Sequence, residues 1–94
     1  MDTVSVSSRA RARADFRVRR RRYNSATMLV FHNDWFEIDR VTDTVWLACE
    51  EGLTVADIVR RVAGRHQLPL ADSVAAVSFA LGHFHSLGFV ELSE

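Results

Sequence analysis

Apolar residues along this chain follow two rhythms. Early on they come as short runs on either side of a polar triplet: Thr27-Met28-Leu29-Val30-Phe31, then His32-Asn33-Asp34, then Trp35-Phe36-Glu37-Ile38-Asp39. Short runs rich in β-branched and aromatic residues predict strands, and Asn and Asp in the triplet tolerate positive φ, so the segment predicts a hairpin. Side chains alternate along a strand. Phe36 and Ile38 therefore share one face, expected to meet the core, while Trp35, Glu37 and Asp39 share the other.

Beyond residue 39 the spacing turns helical. Asp39 is placed to cap a helix that runs to Glu51 and stops at Gly52, the pairing of a carboxylate N-cap with a C′ glycine. Val41, Val45, Ala48 and Cys49 fall on one face of it, with Trp46 beside them. Thr54 predicts the cap of a second helix, Asp57 makes a variant capping box, and Val55, Ile58, Val59 and Val62 form the apolar stripe. That helix is expected to fray over 64–67. Asp72 is the expected cap of a third helix, with Val74, Val77, Leu81 and Phe84 inward and Ser73, Ala76, Ala80 and His83 outward. Gly88 stops it, and 89–92 suits a short terminal strand. Upstream, 16–23 alternates weakly and predicts an edge strand with Phe16 and Val18 inward. Residues 1–15 read as a flexible arginine-rich arm, and 16–94 as the folded domain. The fold class expected is α+β, winged-helix-like, with a short antiparallel three-stranded sheet followed by three helices.

Charge changes this picture in one respect. The net charge is zero, yet residues 1–22 hold eight arginines against two aspartates, while 23–94 hold four arginines against ten acids. The body is acidic and the basic character lies in the arm and first strand. Twelve arginines and no lysine fit the codon bias of a GC-rich bacterial genome. A single cysteine excludes an internal disulfide framework, and a reduced cytoplasmic setting is expected. No apolar run nears the roughly 18–20 residues of a membrane span, and the N-terminus lacks the apolar stretch of a secretory signal.

Candidate chemistry is sparse. His83 and His85 stand two apart on a helix, roughly 200° around its axis, and cannot chelate one ion together. His32 and His66 have no partner at zinc spacing, so no metal is expected. Cys49 sits on an apolar helix face and reads as a small buried hydrophobe. The glycines at 52, 64, 82 and 88 are dispersed and form no phosphate loop. The chain is read as a non-enzyme without a cofactor. Its second and third helices resemble a helix-turn-helix, which makes a winged-helix DNA-binding or regulatory protein the rival reading. Between 67 and 94, however, there is no arginine or lysine, the wrong surface for a polyanion.

The run from 27 to 92 resembles the PqqD-like family, also described as RiPP recognition elements. The similarity lies in the hairpin ending Phe36-Glu37-Ile38-Asp39, in Val45-Trp46, and in Glu51-Gly52-Leu53-Thr54-Val55-Ala56-Asp57-Ile58-Val59. It continues in Val77, Ala80, Leu81 and Phe84, and closes with Gly88-Phe89-Val90. Asp39 departs from the family's usual asparagine, although either residue can cap, and the basic segment 9–22 has no counterpart there.

The resemblance implies a stand-alone peptide chaperone. It would bind the leader of a ribosomally made precursor peptide as an added strand and present it to a maturation enzyme, such as a radical SAM enzyme. Carried onto this chain, the peptide-binding residues are Trp35, Phe36, Glu37 and Ile38 on the strand, with Ala76, Ala80, His83 and Phe84 on the third helix. The arginine-rich segment would favour an acidic leader or dock the enzyme. An open strand edge would also permit pairing with a second copy.

Overall fold

The computed structural model describes residues 8–94; the part of the expected arm before residue 8 lies outside the described residues. The fold is α+β. A short antiparallel sheet of β2 (Arg19–Tyr23), β3 (Ala26–Phe31) and β4 (Asp34–Ile38), in that spatial order, is followed by three helices. These are α1 (Arg40–Glu51), α2 (Val55–His66) and α3 (Leu70–Ser86). A second pair joins β1 (Arg11–Ala14) to β5 (Val90–Ser93), antiparallel.

Local chemistry accounts for most boundaries. The Asp39 side chain accepts from the Thr42 N–H at 2.8 Å, and Gly52 closes α1 at φ 72°. The left-handed backbone calls for glycine here, while the nearest atoms a Cβ would meet belong to the Arg13 side chain, which can shift. The Asp57 N–H donates to the Thr54 hydroxyl at 3.2 Å, opening α2. That helix does not fray at Gly64 but continues to His66, where Gln67 takes the left-handed conformation. Both hairpins have two-residue loops, Asn24-Ser25 and His32-Asn33. Asn24 and Ser25 each have positive φ, as a type I′ turn requires. In the second loop it is His32, not Asn33, that turns left-handed.

Leu29, Trp46, Ile58, Leu81, Phe84 and Phe89 form the fully buried centre. Phe89 is its hub, with ring centroids 5.5 Å from Phe31, 5.5 Å from Phe36 and 6.4 Å from Trp46. The Trp46 indole N–H, which would otherwise be stranded in the core, donates to Glu50 at 2.9 Å.

Four expectations need correction. The folded unit begins before residue 16, because β1 occupies part of the expected arm. Ala10 and Ala12 are buried, and β1 lies between β5 and the α1–α2 connection. The Ala12 N–H donates to the Leu53 carbonyl, while the Ala10 and Ser8 carbonyls accept from the Val55 and Ala56 N–H groups. The strand thereby satisfies two of the donors that a helix N-terminus leaves unpaired. Phe16, expected inward, is 90% exposed at the tip of the turn between β1 and β2, and Val18 alone is buried. The turn is tight because the Asp15 side chain accepts from the Arg17 N–H and its carbonyl accepts from the Val18 N–H.

The third helix starts at Leu70, not after Asp72, with Pro69 at the cap position and no side-chain cap bond. Its inward stripe is Ser73, Val77, Ala80, Leu81 and Phe84. Val74, expected in that stripe, is half-exposed, and Ser73 takes the inward place with its hydroxyl donating to the Pro69 carbonyl. Among the described residues no helix is long and apolar enough to cross a membrane.

Candidate peptide-binding groove

Among the described residues the three-stranded sheet is covered on one face only. Cross-strand register puts Arg20, Leu29 and Phe36 in one row and Arg22, Thr27 and Ile38 in the next. Leu29 is fully buried, so these rows face the helices. The intervening rows, Arg19-Val30-Trp35 and Arg21-Met28-Glu37, form the opposite, outer face. Among the described residues β4 pairs with β3 alone, which leaves its far edge without a ladder partner.

Beside that edge runs a groove of about 410 Å³. Trp35, Phe36, Glu37, Ile38 and Asp39 line it from the strand, and Phe79, Ala80, His83, Phe84 and Leu87 from α3. Phe89 and Leu29 close its base. All four strand positions singled out from the sequence lie here, as do Ala80, His83 and Phe84. Ala76 does not line the groove: it stands one helical turn before Ala80, past the end of the cavity, and is half-buried. Ala80, expected on the exposed side of the helix, is buried in the groove wall.

Sequence reasoning missed Phe79 and Leu87. Phe79 is 60% exposed on the helix side, and Trp35, 56% exposed, stands on the outer face of the strand edge. A signal was present, since Phe79, His83 and Leu87 repeat every fourth residue and therefore share a helix face.

No family model, curated protein or solved structure matches the chain. The site has to be read from its own chemistry.

That chemistry is apolar and acidic. Glu37 and Asp39 lie along its strand edge, with the Glu37 side chain on the outer face, and His83 lies on its helix wall, while no arginine lines it. Asp39 is committed to capping α1. The arginines of β2 line an adjoining cleft: Arg20 and Arg22 border about 700 Å³ with Arg40, Arg65 and His66, and that cleft shares Glu37, Ile38 and Asp39 with the groove. There Arg20 holds Asp43 in a two-bond fork at 2.6 and 2.7 Å, which strengthens its hold on its proton, and Arg22 donates to the Thr27 hydroxyl. The Thr44 hydroxyl contacts His66 Nε2 at 2.7 Å and donates to the Arg40 carbonyl.

Other reactive groups are muted. Cys49 is buried and its thiol is pushed up to about 12, by burial first and by the nearby Glu50 charge second. No cluster of three or more metal-ligating side chains occurs among the described residues.

Proposed function

We propose that this domain binds an extended peptide as a fourth strand along the free edge of β4. One observation carries the reading: an unpaired strand edge runs directly beside an apolar groove whose other wall is a helix. An added strand would satisfy the open backbone groups of β4, and every second side chain would enter the groove between Phe36 and Ile38 and the Phe79, Ala80 and His83 face. Main-chain bonds would supply affinity and the groove specificity.

The order of motifs that resembles the PqqD-like family supports a narrower form of this reading. The peptide is then the leader of a ribosomally made precursor, and the domain is a stand-alone recognition element presenting it to a maturation enzyme. Tethering the leader raises the effective concentration of the attached core peptide at that enzyme. DNA contact through α3 has less support: the exposed residues of that helix include Phe79, Val74 and Leu70 but no arginine or lysine.

The test is to select binders for the full chain from a displayed library of random linear peptides, then map them by amide chemical shifts. Binders that shift β4 together with Phe79, Ala80 and His83, and that change Trp35 fluorescence, are expected. An empty selection, or shifts confined to the β2 cleft or to α2, overturns the reading.

A further inference from the structure

The groove has a sign. Resting on the strand-addition reading, we infer that the bound segment alternates, with small apolar residues pointing into the groove and a basic residue, arginine above all, on the outward position between them.

Register carries the inference. A strand added beside β4 continues the two outer rows of the sheet, Arg19-Val30-Trp35 and Arg21-Met28-Glu37. Each row begins on a guanidinium at the β2 edge and ends at the β4 edge on a group that attracts cations, one an indole and the other a carboxylate. Trp35 and Glu37 are two residues apart and both exposed, so one outward side chain of the added strand reaches both. Opposite charges on neighbouring strands attract and like charges repel, and a guanidinium stacks on an indole face.

The surroundings point the same way. The acidic residues along the strand edge are Glu37, whose side chain stands on the outer face, and Asp39, whose carboxylate caps α1. Asp34 begins the same strand. Four of the eight arginines of residues 1–22, Arg19 to Arg22, stand on β2 across the sheet, two strands and therefore about 10 Å away at the backbone. Arg20 and Arg22 there face α1 and the neighbouring cleft. Arg20 is held by Asp43 and Arg22 by the Thr27 hydroxyl, so the outward position beside β4 faces Trp35 and Glu37.

The inward positions are constrained independently. A cavity of about 410 Å³ lined by Phe36, Ile38, Phe79 and Ala80 accepts valine- or alanine-sized side chains more readily than charged ones, since an unpaired charge there would lose its water.

The experiment compares two synthetic peptides of one sequence with valines at alternate positions. One carries arginine and the other glutamate at the central outward position. Each is titrated against the full chain by fluorescence polarisation. The arginine peptide is expected to bind about three- to tenfold more tightly, the sum of one attraction gained and one repulsion avoided. The gap should narrow as salt is raised, and E37R, a change at an exposed position, should reverse the order.

Sequences selected from the random library should show the same arginine enrichment and the same reversal. Equal affinity of the two peptides, or an order that E37R leaves unchanged, overturns the charge preference while strand addition stands. Failure of both peptides and of the library to bind overturns strand addition itself, and this inference with it.

Discussion

Phe36 meets Phe89 edge-on, with ring centroids 5.5 Å apart and planes at 77°. Phe36 lies on the edge strand and Phe89 just after α3, so this contact joins the two walls of the groove at its base. Phe31 on the neighbouring strand meets the same ring at 5.5 Å, so two strands of the sheet contact the end of α3 through Phe89.

Phe89 is 2% exposed and also touches Phe31 and Trp46. Phe89→Ala is expected to cost about 3–5 kcal/mol, the range for removing a buried ring and leaving a cavity. Phe16→Ala, at a residue 90% exposed, should change stability by less than about 0.5 kcal/mol. Urea unfolding of the two variants checks the contrast.

The N-terminal strand should matter to stability. Ala12 is fully buried, and its backbone links β5 to the α1–α2 connection. Ala12→Asp places a carboxylate where there is no solvent and should destabilise by about 3 kcal/mol or more. Removing residues 1–14 should lower the melting temperature clearly, because it unpairs β5 and frees the α2 N–H donors. A melting curve unchanged by that deletion would show that β1 contributes nothing to the fold.

Two ion pairs of similar geometry should differ in worth. Arg20 and Asp43 have side chains 26% and 15% exposed and form a two-bond fork across the cleft. Asp43→Ala should cost about 1–3 kcal/mol by leaving a partly buried guanidinium without its partner. Asp15→Ala, which breaks the more exposed pair with Arg17, should cost far less. Paired denaturation curves, with a double-mutant cycle for Arg20 and Asp43, measure the difference.

The Asp15 carboxyl is held down at about 2 by its bond to the Arg17 side chain, with the Arg17 N–H adding to the effect. A folded value below the unfolded one means that its contribution is present above about pH 4 and is lost as pH falls toward 2. The Asp15 side-chain NMR shift should therefore titrate near 2 in the native chain. In Arg17→Ala it should move back toward an ordinary aspartate near 4.

Cys49 titrates the other way. Burial raises its thiol to about 12, above the roughly 8.5 of an unfolded chain. Its contribution is complete below about pH 8 and declines as pH rises toward 12, where the unfolded state loses the proton first. At pH 8 native protein should resist iodoacetamide and urea-unfolded protein should be alkylated rapidly. Fast labelling of the native chain would show that α1 opens or that the thiol is accessible.

Much of this protein is determined by local sequence. Asp39, Gly52 and Thr54 set helix ends through bonds made within a few residues, and alternation over 35–38 assigns Phe36 and Ile38 to the core face whatever the partner. Other features depend on contacts between distant parts of the chain. In the Ala-Arg repeat of 10–14, alanine buries too little surface to announce a strand, and only pairing with β5 and the Leu53–Ala56 backbone makes it one. The third helix is apolar over most of its circumference, so periodicity could not decide between Ser73 and Val74 as the inward residue; packing against α1 and α2 decided it. The same packing turned Phe79 toward the strand edge and left Ala76 one turn short of the groove. Most consequential is the placement of charge. Composition locates the arginines in the chain, but only the strand order β2-β3-β4 puts Arg19 to Arg22 on the edge strand opposite β4 and the candidate groove.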